Sequence, residues 1–123
     1  MSRLLVIGCG GVASVAIRKC CQNSDVSTEL MTASRTKEKC DALKKKIEST
    51  TKTKIETAKV DADNAAEVAE LIRAYKPDAV LNVALPYQDL TIMDACLEAG
   101  ADYIDTANYE AEDTEDPTWR AIY

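Results

Sequence analysis

Apolar residues along this chain alternate between two rhythms. Leu4 to Ile7 is an unbroken apolar run, as expected of a strand buried on both faces. Gly8, Gly10 and Gly11 follow. A helical pattern starts directly after them, with Val12, Ala16 and Cys20 four apart and Val15 beside them. Ser27 to Ala33 is the second predicted strand. Thr36 stands where it would cap a helix with Cys40, Leu43 and Ile47 as its buried stripe. After a polar break, Lys54 to Val60 alternates as a third strand. Asn64 and Glu67 have capping-box spacing ahead of a third helix, whose apolar face is Val68, Leu71, Ile72 and Tyr75. Lys76-Pro77-Asp78 stops that helix, and Ala79 to Val83 is a fourth buried strand. Asp89 caps a fourth helix running to Gly100, a C′ glycine, and Ala101 to Asp105 is a short fifth strand.

Strand and helix in strict alternation predict an α/β fold, a Rossmann-type doubly wound parallel sheet between two helical layers. The expected strand order is 3-2-1-4-5, with a ligand crevice at the carboxyl ends of strands 1 and 4. Residues 1–108 are assigned to this domain. Residues 109–123, with the acidic run Glu110 to Asp116, read as a linker or tail. A sixth strand and a substrate domain are missing, so the chain is expected to be the amino-terminal module of a longer enzyme.

Composition narrows the setting. The 123 residues carry a net charge of −6, divided unevenly. Residues 1–59 hold 12 Lys and Arg against 6 Asp and Glu, and residues 60–123 hold 3 against 15. A basic first half suits an anionic ligand, although Lys44-Lys45-Lys46 also reads as ordinary solvated helix surface. The acidic half and the scarcity of aromatic residues argue against nucleic acid. No apolar run is long enough to cross a membrane or serve as a signal peptide, so cytoplasm is the expected compartment. The five cysteines are odd in number and contain no C-x-x-C pair. They read as reduced packing thiols, with Cys20, Cys40 and Cys96 on buried helix faces. There is no histidine, which removes a histidine metal site or general base from this chain. No metal is expected.

The glycine turn carries the chemistry. In G-x-G-x-x-G/A between a strand and a helix, Gly8 permits the tight turn and Gly10 lets backbone approach a pyrophosphate. Ala13 at the third position lets the helix pack closely on the strand. The start of the helix, through Gly11 and Val12, offers unpaired N–H groups and a positive dipole end. A unit selective for NAD places an acid at the end of strand 2 to hold the ribose hydroxyls. Here that stretch is Ala33-Ser34-Arg35-Thr36 and contains no acid. Arg35 would attract a 2′-phosphate, with Ser34 and Thr36 as hydroxyl donors and Lys39 one turn on, so NADP(H) is the expected cofactor. At the end of strand 3, Asp61 can accept from the adenine amino group and a backbone amide near Ala62 can meet the ring; Asp63 can cap the next helix, and both readings can hold together. Asn82, Val83 and Ala84 end strand 4, where small residues let the centre of a dinucleotide lie flat.

Together with Leu85 to Gln88 and Tyr103 to Glu110, these motifs resemble the saccharopine dehydrogenase family, and within it the branch that makes carboxylated polyamines. The resemblance runs to about Glu110. It implies NADPH-dependent reduction of an imine formed from aspartate semialdehyde and a diamine, by a homodimer when full length. It also implies cofactor roles for Gly8, Gly10, Gly11, Ala13, Ser34, Arg35 and Thr36. Tyr87, Asp105 and Asn108 are candidates on the substrate side, each equally readable as a packing or turn residue. No catalytic residue is assigned, and the chain alone is expected to bind cofactor weakly and catalyse nothing.

Two other readings share the pattern. One is a regulatory dinucleotide-sensing domain of a channel or transport protein, which would want an acid where Arg35 stands. The other is a saccharopine dehydrogenase of lysine metabolism. A methyltransferase would also need the missing acid, and a short-chain dehydrogenase would need a Tyr-x-x-x-Lys that the sequence lacks.

Overall fold

A computed structural model of the chain describes residues 2–84 and 89–106. The element order is β1 (Ser2–Ile7), α1 (Gly11–Gln22), β2 (Ser27–Ser34), α2 (Lys37–Ile47), β3 (Lys54–Lys59), α3 (Ala65–Tyr75), β4 (Ala79–Asn82), α4 (Asp89–Ala99) and β5 (Asp102–Asp105), with a 3-10 turn at Glu48–Thr50. The strands form one sheet in the order β3-β2-β1-β4-β5, every pairing parallel. This is the expected doubly wound arrangement.

Period-2 alternation splits the central strand between two cores. Leu5 and Ile7 of β1 join Val80, Val68, Ile72, Ile92 and Cys96 under α3 and α4. Val6 points the other way, to Ala13, Ile17, Leu30, Leu43 and Ile47 under α1 and α2. Both faces are covered, which is why β1 reads as continuous apolar sequence.

The face of α1 differs from the expected one. Its buried residues are Ala13, Ile17 and Cys21, whereas Val12 and Val15 are 62% and 60% exposed. Ala16 and Cys20 lie at the margin. Two stripes one residue apart are nearly equal in hydrophobicity, and packing selects the one whose first member, Ala13, is small enough to meet the sheet. Cys21 rather than Cys20 is therefore the buried thiol of this helix.

The caps also depart in detail. Thr36 occupies the N-cap of α2, but its side chain makes no capping bond. Asn64 caps α3 as expected, its Oδ1 accepting from the Glu67 N–H at 3.2 Å. Glu67 does not close the box; its carboxylate accepts from the Asp61 N–H at 3.1 Å instead. Asp63 therefore caps nothing. Asp89 is the first residue of α4 itself. At the other end of that helix Gly100 has φ +75°, and the Ala101 N–H donates to Cys96 O at 2.9 Å, as a C′ glycine allows.

Arg3 ties the amino-terminal end of the sheet, opposite the glycine turn. Its guanidinium bonds Glu29 of β2 and the Tyr75 carbonyl, and its N–H donates to Asp78 at 2.9 Å. The Tyr75 ring lies beneath, 5.8 Å from the guanidinium carbon. Tyr75 is buried, and its hydroxyl has no hydrogen-bond partner among the described residues. Burial, with Glu56 and Glu29 nearby, pushes its ionisation up from 10.0 to about 12. A raised phenol leaves the native state protonated while the unfolded chain ionises, so this group lowers stability as pH rises from about 10 through about 12. Replacing Tyr75 by Phe should remove that alkaline loss and leave stability at pH 7 unchanged or up to about 1 kcal/mol higher. Urea unfolding of both proteins across pH 7 to 11 measures it.

Candidate functional site

Four strands end at one mouth. A cavity of about 520 Å³ opens there, lined by Ile7 to Gly10, Ser34 to Thr36, Lys39, Val60, Ala62, Asp63, Val83 and Ala84. Its size is ordinary for a small-molecule site. Of the sites expected from sequence, the wall includes Gly8, Gly10, Ser34, Arg35, Thr36, Lys39, Ala62, Val83 and Ala84. Gly11, Val12, Ala13, Asp61 and Asn82 are not part of it. Ile7, Cys9, Val60 and Asp63 line it and were not singled out for that role.

The glycine turn is pinned from β2. Gly8 N–H donates to Ala33 O at 2.8 Å, and the buried Thr32 hydroxyl donates to Gly8 O at 2.9 Å. Thr32 escaped the sequence reading; its only signal was a polar residue inside the apolar centre of a strand. Gly8 has φ +126°, and a Cβ on it would meet Val83 O at 3.1 Å. Glycine is needed there on both counts. Gly10 and Gly11 differ, because a Cβ on either meets nothing within 4 Å. Gly10 is the N-cap of α1 and accepts the first helical bond from Ser14 N–H at 2.9 Å. The N–H groups of the first turn have no acceptor inside the helix. A bare turn beside free donors fits a diphosphate.

At the end of β2 the Ser34 hydroxyl is spent internally. It bridges the Thr36 N–H and carbonyl, each at 3.0 Å, and receives the thiols of Cys9 at 3.3 Å and Cys40 at 3.5 Å. Arg35 stands on the rim, with its side chain 65% exposed. Its Nη2 bonds Asp61 Oδ1 at 3.2 Å and Asp63 Oδ2 at 2.8 Å. Those carboxylates, Asp61 foremost, raise the guanidinium's already high pKa further. Asp61 Oδ1 also accepts from the Asp63 N–H at 3.0 Å, so this acid is built into the turn after β3.

Asn82 holds the backbone of the lining residue Ala84. It is buried, its Oδ1 accepts from the Ala84 N–H at 3.0 Å, and its Nδ2 donates to the Tyr103 hydroxyl at 3.1 Å. Tyr103 in turn donates to Asp105 at 2.6 Å. Asp105 thus belongs to a chain of bonds that shapes the Val83–Ala84 backbone. Tyr87 and Asn108 lie outside the described residues, as do Leu85, Pro86, Gln88 and the acidic tail. Among the described residues no group of His, Cys, Asp or Glu could hold a metal ion, and no helix is long and apolar enough to cross a membrane.

Comparison with known proteins identifies the family and the fold. A family model described as the saccharopine dehydrogenase NADP binding domain matches residues 4–120. Carboxyaminopropylagmatine dehydrogenase of Synechocystis sp. is 44% identical over 100% of this chain and 30% of its own length. Carboxynorspermidine synthase of Vibrio alginolyticus is 37% identical over 85% of this chain and 26% of its own length. The chain therefore spans less than a third of these relatives. Among solved structures, apo saccharopine dehydrogenase (L-Glu forming) of Saccharomyces cerevisiae superposes with a TM-score of 0.72 at 18% identity, covering 91% of this chain and 23% of that one. That likeness establishes the fold.

The two kinds of glycine separate under substitution. Gly8→Ala should destabilise the domain by about 1–3 kcal/mol through strain and the Val83 contact. Gly10→Ala should change stability by less than about 1 kcal/mol. Urea midpoints of the two variants against the parent check both.

Proposed function

From the premise that the chain belongs to the family of saccharopine dehydrogenase NADP-binding domains, we propose that it holds NADP(H) for an oxidoreductase of polyamine synthesis. The observation that supports this most is Arg35 on the rim of the strand-end cavity, one wall away from the bare Gly10–Gly11 turn. The diphosphate would rest on the first-turn N–H groups of α1, and a 2′-phosphate would meet Arg35, Lys39 and Thr36. Within this reading Val60 and Ala62 flank the adenine. The Val83–Ala84 backbone, held by Asn82, lies under the middle of the dinucleotide. When bound, the reduced cofactor supplies the hydride.

The proposed reaction is reduction of an imine of aspartate semialdehyde and an amine to a carboxylated polyamine. A protonated imine is already electrophilic, so the protein's contribution is alignment, exclusion of water and negative charge near a cationic substrate. The acidic second half of the chain suits such a substrate. The Vibrio relative, named for carboxynorspermidine, favours a diamine as the amine. The Synechocystis relative, named for carboxyaminopropylagmatine, extends the class to an amine ending in a guanidinium.

Titration with NADPH and NADH tests the cofactor assignment. Arg35→Asp should weaken NADPH at least tenfold and leave NADH within about threefold. A parent that prefers NADH, or a variant with unchanged NADPH affinity, would overturn it. Assaying the protein that carries this domain with aspartate semialdehyde, NADPH and a panel of diamines and agmatine tests the reaction. The assignment requires NADPH oxidation dependent on both the aldehyde and an amine.

A further inference from the structure

The end of β2 lacks the carboxylate that selects an unphosphorylated dinucleotide, yet the folded chain brings two carboxylates to the same place from the turn after β3. Asp61 and Asp63 both bond Nη2 of Arg35, at 3.2 Å and 2.8 Å. The two acids are not equivalent. Asp61 also accepts the Asp63 N–H, and its own N–H is held by Glu67, so it forms part of the turn's framework. Asp63 has Arg35 as its side-chain partner and lines the cavity, with about half of its side chain exposed.

Resting on the NADP(H) assignment above, we propose that Asp63 is a specificity-determining residue that competes with the cofactor's 2′-phosphate for Arg35. Asp61 and Asp63 together offset the Arg35 guanidinium, so of the two cations that line the cavity an arriving phosphate meets only Lys39 without a paired carboxylate among the described residues. Both carboxylates grip one guanidinium nitrogen, and a phosphate engaging that nitrogen must displace Asp63 or share with it. Without a 2′-phosphate, Arg35 keeps its anionic partners, so an unphosphorylated dinucleotide does not leave the guanidinium unpaired. Asp63 therefore narrows the difference between the two cofactors. The pair is exposed and screened, so the effect is a tuning of a few-fold rather than an on-off switch.

The test is Asp63→Asn, nearly the same shape and without the charge. It keeps the backbone N–H that bonds Asp61, and a circular dichroism melt confirms that it folds. Titrating the protein that carries this domain with NADPH and NADH should show NADPH binding about three- to tenfold tighter, NADH unchanged or weaker, and the NADPH/NADH ratio widened accordingly. In an Arg35→Ala background the same substitution should change NADPH affinity less than twofold, because the competition runs through the guanidinium. Weaker NADPH binding by Asp63→Asn would make Asp63 a prop for Arg35 and overturn the proposal. An unchanged ratio, or a full effect that persists without Arg35, would also overturn it. These results differ from failure of the cofactor assignment, in which Arg35→Ala itself leaves NADPH binding unchanged.

Discussion

Gly8 and Val83 touch backbone to backbone, and the mouth of the sheet depends on that approach. A single added carbon at Gly8 would stand 3.1 Å from the Val83 carbonyl oxygen. Because nothing larger than hydrogen intervenes, β1 and β4 stay paired to their ends, with Val83 N–H donating to Ile7 O at 3.0 Å. The chain can then turn sharply into α1 without filling the space above. Thr32 and Ala33 hold the same glycine from the other side. The loop is fixed by its neighbours and kept empty by its composition, and a preorganised loop of that kind binds an anion without first paying an ordering cost.

Around that fixed point the charges are placed by different strands. Arg35 and Lys39 come from the β2–α2 connection, and Asp61 and Asp63 from the turn after β3. The basic first half of the sequence suggested a positive mouth. In the folded mouth the most prominent cation is already paired, since the first acids of the second half sit against it. Local pairing, more than overall charge, sets the electrostatics of the mouth. The same holds at the ends of β4 and β5, where Asn82, Tyr103 and Asp105 spend their polar groups on one another and on Ala84.

Much of this was legible in the residues. Alternating periods gave every strand and helix to within a residue or two, and the parallel sheet follows, since short connections and right-handed crossovers leave few alternatives. The glycine spacing located the turn, and Ser34-Arg35-Thr36 located the rim. The family likeness was carried by the motifs at the strand ends. These are local signals, each contained within a stretch of a dozen residues.

The face of α1, the partners of Arg35 and the task of Asn82 were decided elsewhere. Val12-Ala16-Cys20 and Ala13-Ile17-Cys21 are equally good stripes on a helical wheel, and only a sheet beneath makes Ala13 the better fit. Glu67 has the spacing to complete a cap, yet it turns to Asp61, which lies six residues before it in the sequence. Arg35 and Asp63 are 28 positions apart and belong to different crossovers. The sequence by itself determined which elements form and in what order they pair, because backbone hydrogen bonding and hydrophobic period are short-range. Which side chains meet at the ends of those elements was left to the tertiary structure, because such contacts depend on how the strands are stacked side by side.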